Sequence, residues 1–364
     1  MFELFNGRKN HFIGIDFGTS SIKVVELSYK DQQAHLENYG TVDLNWAQQG
    51  EIAQDVKAQS YEQKLNEALK SLLVKMGLEA GNAYVSIPGF TGLITILELP
   101  DMREEELAKA IQFEAHKYIP SSLDEIAMSW EIIEHVGGNA LENAPAQVQK
   151  KIRILLVAAP KREIERYDRL VGGTSLAVKA IELETFSIAR SLIGDEAGTF
   201  IVIDIGSRAT NILLVEKGIV SVNRNIDAGG NEITSAIADS MSISRQRAED
   251  FKKGEKDLLN SKESAIVIPV LELISGETLR IINAYKEKNK TANIGTIILS
   301  GGTSNMKGIE AYFSRTLGSN VTLGNPWRRV MANDSIKPFI EKLGVAYSVA
   351  LGLALRGVEE YKRQ

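Results

Sequence analysis

The sequence predicts an α/β protein of two related halves that face each other across a cleft, with a smaller subdomain inserted into each half. Three observations carry that expectation. Ile13-Gly14-Ile15-Asp16-Phe17-Gly18-Thr19-Ser20-Ser21 and Ile201-Val202-Ile203-Asp204-Ile205-Gly206-Ser207-Arg208-Ala209 each run an apolar strand into Asp-x-Gly and then small residues. A second apolar run follows each at once, over 22–27 and 211–215, so each reads as a β-hairpin with a tight glycine tip. A further glycine-rich turn, Ser300-Gly301-Gly302-Thr303-Ser304-Asn305, ends the apolar run 297–299.

The elements between these landmarks repeat. Residues 35–42 read as a third strand. Over 56–76, Leu65, Leu69, Leu72, Leu73 and Met76 recur at helical spacing, and Gly77 ends the run. Residues 83–87 form a short buried strand that Pro88-Gly89 stops. The second half has strands over 200–204, 210–215 and 219–226, helices from Glu232 onward, and a returning strand over 296–299. Three strands, a helix and a returning strand match the start of a ribonuclease-H-like unit. Between the halves, 88–160 is an insertion that opens with a strand over 93–97. Asp101 is placed as N-cap and Glu104 as the third helical residue of a capping box. That helix carries Leu107, Ala110, Ile111 and Ala115 to Tyr118-Ile119-Pro120, and strands over 126–136 and 151–158 flank an excursion at 137–149. A second insertion, 237–291, is helical and charge-rich, with helices over 245–253 and 266–288.

Composition narrows the function. At 364 residues, with 44% hydrophobic and 24% charged residues, the chain is long enough for about two soluble globular domains. A net charge of −5 offers no basic footprint for nucleic acid, and no nucleic-acid partner is expected. With no cysteine, disulfides, thiol catalysis and cysteine-ligated metals are excluded; the four histidines fall in no metal-ligand spacing. No apolar run approaches about 18 residues, so no membrane insertion is expected. The start lacks a signal-peptide pattern, although Phe2, Leu4 and Phe5 are candidates for touching a membrane or a partner. The expected location is the cytoplasm.

The hairpins carry the chemistry. A glycine tip lets backbone N–H groups approach and cradle phosphate oxygens, which places Gly18, Thr19, Ser20, Gly206 and Ser207 at an anion. Asp16 and Asp204, ending the preceding strands, offer hard oxygen ligands to a hydrated Mg²⁺. One Asp-x-Gly alone is ordinary turn chemistry. Two with matching flanks would grip a nucleoside triphosphate from both sides. Gly301-Gly302 would let an adenine ring slide over bare backbone, with a helix starting near Asn305 favouring phosphate.

At this point the chain resembles a known family. The element order is similar to the actin-like ATPase superfamily, and the details resemble the PilM family of type IV pilus assembly proteins, relatives of the cell-division protein FtsA. The residues that carry this are the hairpin 14–27, the signature Glu98-Leu99-Pro100 with Ile111-Gln112-Phe113-Glu114-Ala115 and Tyr118-Ile119-Pro120, and the stretch 344–352, within a similarity spanning about 11–358. The resemblance implies an actin-like ATPase fold. Its first subdomain would be 11–87, completed by about 161–198 and 344–358. The FtsA-like inserted subdomain would be 88–160, the second actin-like subdomain 199–236 with 292–343, and the helical insertion 237–291. It also implies that Lys23 reaches the phosphates, Gly229 and Gly230 lie beside the ribose, Glu249 and Lys252 contact adenosine, and Gly301, Gly302 and Met306 face the base. A solvated strand lysine and a surface i,i+3 ion pair are the plain alternatives for Lys23 and for Glu249 with Lys252. The water-orienting position corresponds best to Glu184, with Glu182 its rival and a structural carboxylate equally admissible. Turnover of ATP is left open.

PilM resemblance further implies a cytoplasmic ATP-binding scaffold, peripheral at the inner membrane through its partners. It would receive the N-terminal cytoplasmic peptide of a PilN-like inner-membrane protein in a groove between the first subdomain and the insertion, and work among other pilus assembly proteins. Ile111, Ala115 and Tyr118 are the candidate walls of that groove. An FtsA-like division filament is the alternative, disfavoured because 357–364 is short and polar where FtsA carries an amphipathic anchor. A small-molecule kinase is a third, for which the insertion helix offers only Glu114 and His116.

Overall fold

The computed structural model describes residues 10–44, 55–119, 122–136, 150–260, 266–290 and 293–364. Phe2, Leu4, Phe5, Pro120 and the excursion 137–149 lie outside the described residues.

The first half begins with the meander β1 (His11–Phe17), β2 (Ser21–Lys30) and β3 (Gln33–Asp43), followed by α1 (Asp55–Lys75) and β4 (Gly81–Ile87). The insertion supplies β5 (Leu93–Pro100), α2 (Glu104–Ala115), β6 (Ile126–Val136) and β7 (Lys151–Pro160). The chain then returns through α3 (Lys161–Gly172), β8 (Leu176–Leu183) and α4 (Glu184–Leu192). The second half runs β9 (Thr199–Ile205), β10 (Thr210–Glu216), β11 (Ile219–Ile226), α5 (Gly230–Met241), α6 (Arg245–Lys253), α7 (Pro269–Lys288), β12 (Thr296–Ser300), α8 (Ile309–Leu317) and β13 (Val321–Leu323). It closes with α9 (Lys337–Leu343) and α10 (Ser348–Lys362).

The repeat read in the sequence is a repeat of topology. The sheets are ordered β3-β2-β1-β4-β8 and β11-β10-β9-β12-β13, each an antiparallel meander extended by two parallel strands. The insertion folds as a separate antiparallel sheet, β5-β7-β6. The central strands are nearly all apolar because both of their faces are covered. One face of the first sheet packs on α1 and α3, the other on α4 and α10.

Strand positions hold to within a few residues, and the corrections are local. The Asp101 capping box does not form. Asp101 N–H extends the ladder to Lys150 O at 2.8 Å, so the helix starts only at Glu104, with Arg103 as cap and no side-chain cap bond. After Gly301 the chain makes a short 3-10 turn, Gly302–Asn305, and the next helix waits until Ile309. The helical stretch Lys337–Lys362 reaches membrane-spanning length and apolarity, with mean hydropathy 1.4, yet 61% of its apolar window is buried in the fold. It is apolar all round because α10 is sandwiched between the first sheet and α4. That sandwich needs glycine: a Cβ on Gly352 would lie 1.9 Å from Ser187 O, and one on Gly14 would lie 1.9 Å from Ala350 O.

Candidate functional site

The fold brings the two hairpin tips together. Thr19 Oγ1 and Ser207 Oγ, 188 residues apart in sequence, are 2.5 Å apart in space. Beneath the tips, Asp16 and Asp204 are both 8% exposed. Register explains their surroundings. Asp16 pairs with Lys23 across the first hairpin, with Lys23 Nζ 3.8 Å from Asp16 Oδ2, whereas Asp204 has Asn211 on one side and Ser300 on the other. The second tip also carries the start of α5: Gly230 N–H donates to Gly206 O at 2.9 Å and Asn231 N–H to Ser207 O at 2.8 Å. Only glycine suits this contact, since a Cβ on Gly229 would fall 2.6 Å from Gly206 O.

Glu184, the first residue of α4, reaches the same place from the floor of the cleft. Its Oε1 accepts from Gly89 N–H and from the Asn211 side-chain amide, both at 2.8 Å. Burial, and then the charge of Asp204, push its carboxyl up to about 7. Burial likewise lifts Asp204 to about 6, with Asp16 adding to the rise while Ser300, Lys23 and Asn211 oppose it. Asp16 is also raised, by burial, against the pull of Lys23. Three carboxylates therefore share a site too poor in positive charge for all of them. A cation would relieve it, and hard oxygens suit Mg²⁺. Among the described residues no three His, Asp or Glu side chains converge into a cage, so the fit is to a hydrated ion contacted by the two aspartates.

Glu182 is occupied elsewhere. It accepts from Arg190 and Ser187 at 2.6 Å and from Arg356 at 2.9 Å. Burial pushes its carboxyl up, but Arg190 and Arg356 outweigh that and hold it below the ordinary range. A single residue, Leu183, separates the rivals, and the strand-to-helix junction there turns one into an ion cluster and the other into the cleft.

A pH dependence follows. A carboxyl raised from 4.5 to about 7 makes the fold bind more protons than the unfolded chain, so stability is fully present below pH 4.5 and falls as pH rises toward 7. Glu184→Gln removes that loss, worth roughly 3 kcal/mol as an upper figure. Urea unfolding of the metal-free protein should show the variant more stable than wild type at pH 7.5, and the gap closing by pH 4. A constant gap across that range would refute the assignment.

The remaining expected site residues divide. Lys252 is buried and donates to Gly230 O at 3.0 Å and Thr234 Oγ1 at 2.9 Å, while pairing with Glu249 Oε2 at 2.6 Å. It is thus no solvated surface ion; together with Glu249 it holds the start of α5 against α6. Gly301, at φ 84°, packs its Cα on the Ile205 backbone, where a Cβ would lie 2.4 Å from the carbonyl oxygen. Gly302 opens the 3-10 turn, and Met306, just beyond it, belongs to the second core. Gly18 and Ser20 are half-buried at the first tip. Ile111 and Ala115 do not line a groove: at 1% and 0% exposed they are core residues between α2 and the insertion sheet, and only Tyr118, 48% exposed, is free to meet a partner. Sequence reasoning missed Asn211 and Gly89. A lone polar side chain in the otherwise apolar run 211–215, and a glycine directly after Pro88, were the available signals.

A profile of the family described as "Type IV pilus assembly protein PilM" matches residues 14–358. The chain belongs to the PilM family. Among curated proteins, the cell division protein FtsA of Enterococcus hirae is 21% identical over 378 residues, covering 93% of this chain and 85% of its own length. FtsA of Pseudomonas aeruginosa is 22% identical over 386 residues, with 96% and 89% covered. The PilM-PilN type IV pilus biogenesis complex contains a chain that superposes with TM-score 0.76 at 21% identity, over 95% of this chain and 98% of that one. The ethanolamine utilization protein EutJ of Carboxydothermus hydrogenoformans follows at 0.55 and 19%, covering 95% and 89%. MreB 5 of Spiroplasma citri, solved with AMPPNP bound, gives 0.50 and 13%, covering 97% and 98%. This PilM-family chain has the actin-like ATPase fold, as the resemblance implied.

Proposed function

We propose that this PilM-family protein is an actin-like scaffold of type IV pilus assembly. In this reading it binds Mg²⁺-ATP in its cleft and takes the N-terminal cytoplasmic peptide of a PilN-like inner-membrane protein in a groove between the first subdomain and the insertion. The observation that carries the nucleotide half is the meeting of the two hairpin tips over Asp16 and Asp204. Gly18, Thr19, Ser20, Gly206 and Ser207 would cradle the phosphates, and Lys23 would turn from Asp16 toward them. Gly229 and Gly230 present bare backbone to the ribose, and Gly301 and Gly302 to the base. Mg²⁺, when bound, would neutralise phosphate charge, with Asp16 and Asp204 holding its water shell. Glu184 stands where a residue could orient a water or hold a proton. Its two hydrogen bonds fix its place, and weak turnover of ATP belongs to this reading.

The four-part division of the chain given above, with 88–160 as the partner-binding unit, belongs to this reading; the separate insertion sheet β5-β7-β6 supports treating 88–160 as a unit of its own. A solved PilM-PilN complex supports the choice of partner, and localisation at the inner membrane would follow from that partner alone. Calorimetry tests both halves. ATP is expected to bind more tightly with Mg²⁺ than without, and a peptide matching a PilN-like cytoplasmic N-terminus is expected to bind wild type but not a variant lacking 88–160 that retains nucleotide binding. If the peptide binds that variant equally well, the insertion is not the docking unit.

A further inference from the structure

Gly89 lies in the short turn Gly89–Thr91 that leads from β4 into the insertion, and side chains of the second half grip it. Its N–H donates to Glu184 at 2.8 Å, and its carbonyl accepts from the side-chain amides of Asn223 and Asn225, each at 3.5 Å. A methyl built on it would lie 3.0 Å from Asn211 Oδ1, 3.1 Å from Thr185 Oγ1 and 3.2 Å from Asn225 Oδ1. Asn223 and Asn225 are two apart on β11 and share a face, while Arg224 between them turns away to Glu277.

This junction is closely fitted but poorly bonded. Thr185 Oγ1, Asn211 Oδ1, Asn223 Oδ1 and Asn225 Oδ1 are all buried with no hydrogen-bond partner among the described residues. Each buried unpaired acceptor destabilises the closed arrangement, and exposure to solvent on opening removes that penalty. The closed junction is thus held directly by two long hydrogen bonds and, through Glu184, by two short ones, with the unpaired acceptors working against them, a balance that a bound partner or ligand can shift. It also contains the donor that fixes Glu184.

We propose that Gly89, Asn211, Asn223 and Asn225 form a latch that ties the insertion to the second half, so that displacing the insertion opens the cleft and releases Glu184 from its position. Glu184 is held from both sides of this latch, by a main-chain N–H of the insertion's entry turn and by a side chain of β10. Asn211 and Gly89 are therefore positioning residues. The link to nucleotide rests on the function proposed above; the latch itself does not.

The absence of cysteine makes a direct test clean. Lys109→Cys on α2 and Lys286→Cys on α7, both exposed, take a unique pair of spin labels. Pulsed dipolar spectroscopy on the otherwise unaltered protein is expected to give one narrow distance distribution. Asn223→Ala with Asn225→Ala should shift or broaden it, and Gly89→Ala, whose methyl wedges the junction, should do the same. A distribution unmoved in both folded variants overturns the latch. If the alanine pair does not fold, Asn223→Ser with Asn225→Ser replaces it under the same criterion. As a second readout, a fluorescent ATP analogue should leave the double variant about fivefold faster than wild type. Failure of wild type to bind the analogue would sink the nucleotide reading, while the distance measurement would still decide the latch.

Discussion

Glu182→Ala should lower the unfolding free energy by roughly 3 kcal/mol, the low end of the cost of stripping one partner from a buried ion cluster. Glu182 joins three elements: it sits on β8, accepts from Ser187 and Arg190 of α4, and accepts from Arg356 of α10. Its removal leaves two guanidinium groups short of a counter-charge. They are not wholly abandoned, because Arg190 keeps Glu359 at 3.3 Å and Gly352 O at 2.9 Å, and Arg356 keeps Glu360 at 2.8 Å. That places the expected loss at the low end. The pH signature is opposite to that of Glu184. A carboxyl held below 4.5 in the fold contributes stability that is present above that value and lost as pH falls through its folded pKa. The gap between wild type and variant, read from urea unfolding followed by circular dichroism, should shrink in acid. A loss of less than about 1 kcal/mol at neutral pH would show that the three elements are held by apolar packing alone.

Asp204→Ala should make the metal-free protein more stable and its Mg²⁺-ATP complex weaker at once. The carboxyl is buried and raised to about 6, so at pH 7.5 the fold carries a charge it disfavours, and deleting it removes that penalty. The same charge is what would hold hydrated Mg²⁺ beside the phosphates. Its loss should cost about tenfold or more in affinity with Mg²⁺ present, by the worth of a hydrogen bond to a charged group, and little without. Thermal melts and calorimetry on the two proteins check both directions. Equal ATP affinity with and without Mg²⁺ in wild type, unchanged by the substitution, would remove Asp204 from the metal's surroundings.

Much of the site was legible because its parts are local. An apolar strand, Asp-x-Gly and a returning strand fix a hairpin within about fifteen residues by short-range rules, and its repetition announced two similar halves. The family signature in 98–120 was readable for the same reason. What could not be read depended on where a side chain's neighbours come from. Ile111 and Ala115 have the spacing of an apolar helix face, but spacing does not say whether that face meets a groove or its own sheet. The capping box at Asp101 was lost to a ladder bond with Lys150, which no local pattern reveals. For Glu249 and Lys252, expected at adenosine, the alternative of a surface i,i+3 pair could be set aside only once α5 was packed against them.

The sequence alone determined that two Asp-x-Gly hairpins exist, that each carries an aspartate near the end of its first strand, and that a patterned insertion follows the first repeat unit at 88–160. Each of these is encoded within one or two elements, where backbone geometry and alternation leave little choice. Only the tertiary structure decided that the tips meet, that Glu184 faces the cleft while Glu182 is bound by two arginines, and that Gly89 is clasped by asparagines of the other half. Gly89 and Glu184 are 95 residues apart in the chain. Contacts of that range depend on how helices and sheets pack rather than on local propensity.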